Sequence, residues 1–260
     1  MAKVQCMAKV VRAEQLAEGI FSMWLLAPEI AEQAVPGQFI SLYCEDSDKL
    51  LPRPISLCEV DKVTGQLRIV YRVVGAGTKE FSQKKAEDEI RILGPLGNGF
   101  PLDDVSENGE AVLIGGGIGI PPMLQLAKQL SCHVTVVVGY RDADTFLLEE
   151  LREAADRVVI ATEDGSIGTK GNVIDAIRAE NVHADVIYSC GPTPMLRGVK
   201  AWGLEENVNA WISMEEKMAC GIGACLACVC KSTDVDSHSN VNNKRVCKDG
   251  PVFLSTEIEL

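Results

Sequence analysis

The chain has 260 residues, long for one core and short for three, so about two domains of ~100–150 residues are expected. Lys and Arg number 25 against 37 Asp and Glu, and the net charge of −12 argues against a nucleic-acid partner, which needs clustered basic side chains. The 47% hydrophobic and 24% charged content excludes wholesale disorder, and no unbroken apolar run reaches the roughly 18–20 residues of a membrane span.

The opening stretch, MAKVQCMAKVVRAEQ, carries charges throughout and no apolar core, so no signal peptide is expected and a cytoplasmic location is the default. Residues 1–101 read as β-rich. Strand-type segments at 4–11, 19–26, 38–43, 55–60 and 67–74 are separated by Ala27-Pro28-Glu29, Val35-Pro36-Gly37 and Val63-Thr64-Gly65. Short strands without intervening helices predict an antiparallel barrel, with one short helix over 79–85. Gly94-Pro95-Leu96-Gly97-Asn98-Gly99-Phe100-Pro101 is too rich in Gly and Pro to continue either element and is taken as the domain junction.

From 102 to 213 the rhythm changes. Apolar runs at 111–114, 134–139, 158–162 and 185–190 alternate with helical patterns ending near Leu130, at 145–155, at 172–180 and at 193–203. That alternation predicts a parallel sheet with crossover helices, and 209–213 would be its last strand. Residues 214–260 hold few core-formers, so a third, small module would need a metal to supply what its core lacks. The fold class expected is therefore an all-β barrel followed by an α/β domain and a metal-stabilised tail.

Ten cysteines raise the question of a disulfide framework, but such frameworks belong to small secreted chains. Cys6, Cys44, Cys58, Cys132 and Cys190 are scattered among apolar neighbours and read as small buried hydrophobes. Cys220-x4-Cys225-x2-Cys228, followed by Cys247, has the plant-type [2Fe-2S] spacing. Gly221, Gly223 and Ala224 suit a tight loop whose N–H groups point inward at sulfur. A structural zinc site is the alternative, although zinc ribbons favour two C-x2-C pairs and only one occurs. Cys230, two residues past Cys228, is either a spectator or a ligand in its place.

Three further segments carry chemistry. Gly115-Gly116-Gly117-Ile118-Gly119-Ile120-Pro121-Pro122 joins a predicted strand to a predicted helix. Gly117 and Gly119 would let backbone approach a pyrophosphate at a helix N-terminus, with Pro122 where the dinucleotide fingerprint has a third Gly or Ala. The plainer reading is a tight turn in any α/β fold. Cys190-Gly191-Pro192-Thr193-Pro194-Met195 lies at the same carboxyl edge, where Cys190 is either a nicotinamide contact or core. In the barrel, Arg53-Pro54-Ile55-Ser56, Val70-Tyr71-Arg72 and Gly75-Ala76-Gly77-Thr78 offer two arginines and a glycine turn for a pyrophosphate. His133, His183 and His238 are the only histidines, and with no Gly-x-Ser-x-Gly, zinc and serine hydrolysis are both disfavoured.

This order of motifs resembles the ferredoxin–NADP reductase superfamily and, within it, the electron-transfer subunits of heteromeric, NAD-linked (type B) dihydroorotate dehydrogenases. The likeness also rests on Thr162-Glu163-Asp164-Gly165-Ser166, on Met218-Ala219-Cys220-Gly221-Ile222-Gly223-Ala224-Cys225 and on Val246-Cys247-Lys248-Asp249-Gly250-Pro251-Val252-Phe253. It implies an FAD-binding barrel over 1–101, an NAD-binding domain over 102–213 and a [2Fe-2S] module over 214–260. Arg53, Pro54, Ile55, Ser56, Val70, Tyr71, Arg72, Gly77 and Thr78 would hold FAD, with Ser56 near the flavin N5 edge and Arg53 near the pyrophosphate. Ile55 stands where the superfamily often has an aromatic, so flavin stacking must come from elsewhere. Gly117, Gly119, Pro122, Cys190 and Pro192 would frame NAD, and Cys220, Cys225, Cys228 and Cys247 would ligate the cluster.

The stretch between Cys228 and Cys247 is longer than the family pattern, the excess falling near 236–243. The resemblance implies an obligatory FMN-containing catalytic subunit, two of each chain in the complex, and electrons passing from dihydroorotate to NAD in pyrimidine biosynthesis. No stretch of this chain is left over to build a dihydroorotate site. Two rival readings are a reductase subunit of another NAD(P)H–ferredoxin-type complex and a zinc-stabilised binding module. Tyr140-Arg141-Asp142 after the second strand of the sheet leaves NAD versus NADP open, since an acid favours a free ribose and a base a 2′-phosphate.

Overall fold

The computed structural model describes residues 3–45, 49–235 and 240–260. His238 and part of the expected insertion at 236–243 lie outside the described residues. Among the described residues no helix is long and apolar enough to cross a membrane.

Six strands, β1 (Val4–Ala17), β2 (Ile20–Leu26), β3 (Phe39–Leu42), β4 (Arg53–Asp61), β5 (Gln66–Arg72) and β6 (Glu89–Leu96), close into an antiparallel barrel ordered β1-β2-β5-β4-β3-β6. Alternation along the strands turns Met23, Leu25, Ile40, Leu42, Leu57, Leu67, Ile69 and Tyr71 into its interior. Two short helices differ from the sequence expectation. Ala-Pro-Glu, read as a turn, starts α1 (Pro28–Gln33), because proline costs nothing in a first helical turn, and its Ile30 and Ala31 pack on the barrel core. The helix expected over 79–85 is α2 (Ala76–Phe81), so Gly77 and Thr78 stand in a helical turn rather than an open loop.

The supposed junction is corrected too: Gly94-Pro95-Leu96 ends β6. Ser41 pairs with Leu93 and Phe39 with Leu96, so one extra residue bulges on β6 beside Pro95, where a missing N–H is tolerated. Gly97 and Asn98 follow directly on the strand end. The Asn98 side chain accepts from Val252 N at 3.0 Å and donates to Val252 O at 2.9 Å.

The second segment contains β7 (Glu110–Gly116), α3 (Pro121–Gln129), β8 (His133–Tyr140), α4 (Leu148–Ala154), β9 (Arg157–Thr162), β10 (Thr169–Lys170), α5 (Val173–Ala179), β11 (Val186–Cys190), α6 (Thr193–Glu206) and β12 (Asn209–Ser213). The strands run parallel in the order β10-β9-β8-β7-β11-β12. The tail adds β13 (Val229–Lys231), β14 (Asn243–Arg245), α7 (Val246–Asp249) and β15 (Val252–Leu254). β15 joins the larger sheet antiparallel to β12, with Ile212 opposite Phe253.

The tail is therefore not an isolated unit. Cys228, Val246, Cys247 and Phe253 share one core with Phe39 and Leu96 of the barrel, Leu196 of α6 and Ile212 of β12. Apolar area that the tail could not bury alone is buried against both neighbours.

Candidate functional site

Two clefts open along one side of the molecule. The first, about 810 Å³, lies on the barrel and is lined by Arg53, Pro54, Ile55, Ser56, Val70, Tyr71, Arg72 and Thr78. The second, about 770 Å³, lies over the carboxyl edge of the parallel sheet and is lined by Gly117, Gly119, Pro192 and the Tyr140-Arg141-Asp142 segment. Arg72, Ile118 and Glu215 line both, so the clefts communicate at those side chains. Both volumes lie in the range of ligand pockets, roughly 300–1,000 Å³.

In the barrel cleft the pleat sorts the expected residues. Pro54 pairs with Ser41 and Ser56 with Phe39, which places these four on the outward face, whereas Ile55 pairs with the core residue Ile40. Tyr71 lines the cleft but its ring is spent in the barrel interior, 6.2 Å from Phe21 and 6.4 Å from Phe81 between centroids. Val70, one residue earlier, faces the nucleotide domain's core. Gly77 is not on the cleft wall. It is needed because the Arg53 guanidinium lies across it, and a Cβ there would be 2.7 Å from Arg53 Cζ. The Thr78 hydroxyl is occupied by the N–H groups of Val74 and Gly75, at 2.9 and 3.2 Å, and so shapes the turn.

Over the sheet, Gly117-Ile118-Gly119 forms a 3₁₀ turn between β7 and α3, with Pro121 and Pro122 in the first turn of α3. Pro122 is buried behind the cleft. Cys190 is only 1% exposed, belongs to the core and does not line the cleft. Burial, then the charge of Glu215, push its thiol pKa far up, against the opposing pull of Ser213. The structure thus brings Gly117, Gly119 and Pro192 together and keeps the Cys190 thiol behind them.

Sequence reasoning missed Met214, Glu215, Lys217 and Met218, which line the barrel cleft from the segment leaving β12. Their signal was position: they follow the last parallel strand at the sheet's carboxyl edge. Glu215 is reachable by solvent through the open cleft yet walled by protein on several sides, and that desolvation raises its carboxyl above the usual range.

The cysteine loop lies behind the barrel cleft. Cys220 Sγ accepts N–H groups of Ile222, Ala224 and Cys225 at 3.4, 3.3 and 3.4 Å. Burial raises this thiol, but those donors outweigh it and bring it down to about 6. Gly223 N donates to Cys247 Sγ at 3.1 Å, and Cys247 N to Cys228 Sγ at 3.4 Å. Burial and then the neighbouring Cys228 push Cys247 up to about 12.

The four thiols therefore stand as two adjacent pairs, Cys220 with Cys225 and Cys228 with Cys247. Among the described residues no three His, Cys, Asp or Glu side chains converge as they would on a single ion. Two thiolate pairs suit a bridged two-iron group, and N–H groups aimed at sulfur are the donors such a group requires. Cys230 stands apart on β13, its thiol 3.5 Å from Lys244 O and raised to about 11 by burial and the charge of Glu216.

Residues 215–259 match the family model of the iron–sulfur cluster binding domain of dihydroorotate dehydrogenase B, and residues 113–201 match the oxidoreductase NAD-binding domain. The chain is 44% identical over 260 residues to the electron transfer subunit of dihydroorotate dehydrogenase B (NAD(+)) of Listeria monocytogenes, covering 99% of this chain and 100% of the relative. The subunit of that name from Lysinibacillus sphaericus is 42% identical, covering 97% of each chain. Among solved structures, a chain of the NADH-dependent reduced ferredoxin-NADP oxidoreductase superposes with a TM-score of 0.86 at 30% identity, covering 98% of this chain and 90% of that one. A ferredoxin NADP+ reductase from Neisseria gonorrhoeae with bound FAD and NADP shares the fold, with a TM-score of 0.64 at 17% identity over 78% of this chain and 91% of that one. The chain belongs to the family of electron transfer subunits of dihydroorotate dehydrogenase B (NAD(+)).

Proposed function

We propose that the chain takes electrons from a partner catalytic subunit that oxidises dihydroorotate and delivers them to NAD+, by way of a [2Fe-2S] cluster and FAD. The observation that carries this reading is the joining of the two clefts at Arg72, Ile118 and Glu215, with the cysteine loop on the far side of the barrel cleft. When bound, FAD exchanges electrons in pairs with a nicotinamide and singly with an iron–sulfur group.

The chain's own residues do the rest. The guanidinium groups of Arg53 and Arg72 bind the FAD pyrophosphate, and the Ser56 hydroxyl faces the flavin from the outward face of β4. Gly117 and Gly119 bring backbone close to the NAD pyrophosphate at the start of α3, where Pro122 fixes the first turn. Pro192 closes the opposite wall, and Cys190 supports it from behind. Cys220, Cys225, Cys228 and Cys247 hold the cluster, and Cys230 is a spectator.

Residues 1–101, 102–213 and 214–260 serve as FAD, NAD and cluster segments of a cytoplasmic complex with two copies of each subunit. The FMN-bearing partner docks over the cluster loop, where Cys225, Ile222 and Leu226 are exposed. NAD is preferred over NADP because Asp142 lines the nucleotide cleft beside Arg141 and holds its guanidinium at 3.6 Å.

The test is spectroscopy followed by turnover. The purified chain should show flavin bands over broad iron–sulfur absorbance, and dihydroorotate should bleach both only when the catalytic subunit is added. A colourless, iron-free protein overturns the reading. A coloured protein that dihydroorotate never bleaches, even with the partner, moves it to another redox complex.

A further inference from the structure

Two fully buried hydroxyls, those of Ser41 and Ser189, find no hydrogen-bond partner among the described residues. Leaving a hydroxyl dry and unpaired costs free energy, so each asks for an explanation. Ser189 stands in the middle of β11 between two flanking strands. Ser41 is placed differently. It is on the outward face of β3, next to Pro54 of the flavin cleft, where the cysteine loop packs against the barrel. The point a Cβ would occupy on Gly221, the residue after Cys220, is 3.1 Å from Ser41 Oγ. The backbone N–H groups that serve Cys220 Sγ all come from the loop itself, at Ile222, Ala224 and Cys225. On the barrel side of the loop, beside Leu96, stands the unpartnered Ser41 hydroxyl.

We propose that the Ser41 hydroxyl donates a hydrogen bond to sulfur of the group held by the 220–225 loop, so that the barrel wall positions that group and sets its reduction potential. The inference rests on the [2Fe-2S] reading above. Reduction adds negative charge to the group, and a donor to sulfur stabilises the reduced form more than the oxidised one. Removing the donor therefore lowers the potential. Pro54, Ser41 and Gly221 follow one another from the flavin cleft to the cysteine loop, so the residue lies between the two redox groups without occupying the site of either.

The experiment is a redox titration of the assembled complex, followed by electron paramagnetic resonance for the cluster and by absorbance for the flavin. Ser41→Ala should lower the cluster's one-electron reduction equilibrium about tenfold, or about 59 mV, and leave the flavin unmoved. Ser41→Thr, which keeps the hydroxyl, should stay near the parent. A cluster potential unchanged in the Ala variant overturns the proposal, as does an equal shift in Ala and Thr or a shift confined to the flavin. Should the Ala variant fail to load iron, Ser41→Val against Ser41→Thr compares two side chains of one shape. A lower potential for Val alone supports the donor, and equal potentials overturn it. A parent complex with no iron–sulfur signal would instead remove the reading beneath the inference.

Discussion

Gly119 rests directly on the carbonyl of Cys190, so that the two loops at the sheet's carboxyl edge touch backbone to backbone; a Cβ on Gly119 would also lie 2.6 Å from Gly191 N. No flexible side chain stands there to yield, so any larger residue drives the loops apart. Gly119→Ala should lower stability by about 1–3 kcal/mol. It should also raise the KM for NADH in flavin reduction at least about tenfold, since a misplaced turn no longer meets the nucleotide. Thermal unfolding and stopped-flow reduction read the two effects, while FAD and iron contents should stay at the parent level.

Arg68 ties the barrel to the nucleotide domain. Its Nε donates to Ser22 Oγ at 3.0 Å, its Nη1 pairs with Glu59 at 2.7 Å and also with Glu150, and its Nη2 donates to Glu150 at 3.2 Å. Arg68 is 5% exposed and the Glu59 side chain 12%, so removing the cation leaves a nearly buried carboxylate with only Lys128 to oppose its charge and frees Glu150. Arg68→Met should cost about 3–5 kcal/mol in urea unfolding. Glu150→Gln, at a side chain 38% exposed, should cost about 1 kcal/mol or less. Equal losses from both substitutions would contradict this account.

The barrel, the alternating segment and the four-thiol pattern were legible because each is written in local periodicity or spacing. Strands at 134–139 and 158–162 were expected, and β8 and β9 extend those ranges by one residue at one or both ends. The misses come from long-range facts. β6 was hidden because Gly94-Pro95 reads as a breaker, and only the pairing of Ser41 and Phe39 across the bulge makes it a strand end. Nothing local told that Val252–Leu254 would leave the tail and join β12. In the site, Arg53, Ser56, Gly117 and Pro192 reach the clefts as expected, but the pleat that turns Tyr71 inward and the packing that hides Cys190 depend on partners far away in sequence.

Nucleotide choice should turn on Asp142, which lines the NAD cleft beside Arg141 and is 3.6 Å from its guanidinium. Asp142→Asn removes the charge that repels a 2′-phosphate and leaves Arg141 unopposed. The ratio of kcat/KM for NADH over NADPH should fall about tenfold or more, which corresponds to ~1.4 kcal/mol of discrimination. An unchanged ratio would place the ribose elsewhere.

Acid should loosen the cysteine loop through Asp249. Its carboxylate takes Arg245 Nε at 2.9 Å and Nη2 at 3.0 Å, and it accepts Arg245 N at 2.8 Å, which fixes the turn carrying Cys247. Burial opposes ionisation, but the Arg245 bonds and charge outweigh it and hold the pKa below the usual carboxylate range. A depressed folded pKa contributes stability that is complete above the unfolded value, about 4, and is lost as pH falls through the folded one. Iron release should therefore accelerate below about pH 4 in the parent. In Asp249→Asn it should be faster at neutral pH and flatter through the acid range.

The cysteines themselves give the sharpest contrast, because Cys228 and Cys230 are only two residues apart in the sequence. Cys228 is the neighbour that raises Cys247 and accepts its N–H at 3.4 Å, whereas Cys230 is turned to Lys244 O on β13. A ligand thiol must stand beside the other ligands, and it is Cys228, not Cys230, whose sulfur takes the N–H of Cys247. Cys228→Ser should abolish the iron–sulfur absorbance and most of the bound iron. Cys230→Ser should keep both, with a stability change within about 1 kcal/mol for a small buried substitution. Iron and sulfide assays on the two variants decide between them, and loss of the cluster in Cys230→Ser with retention in Cys228→Ser would exchange their roles.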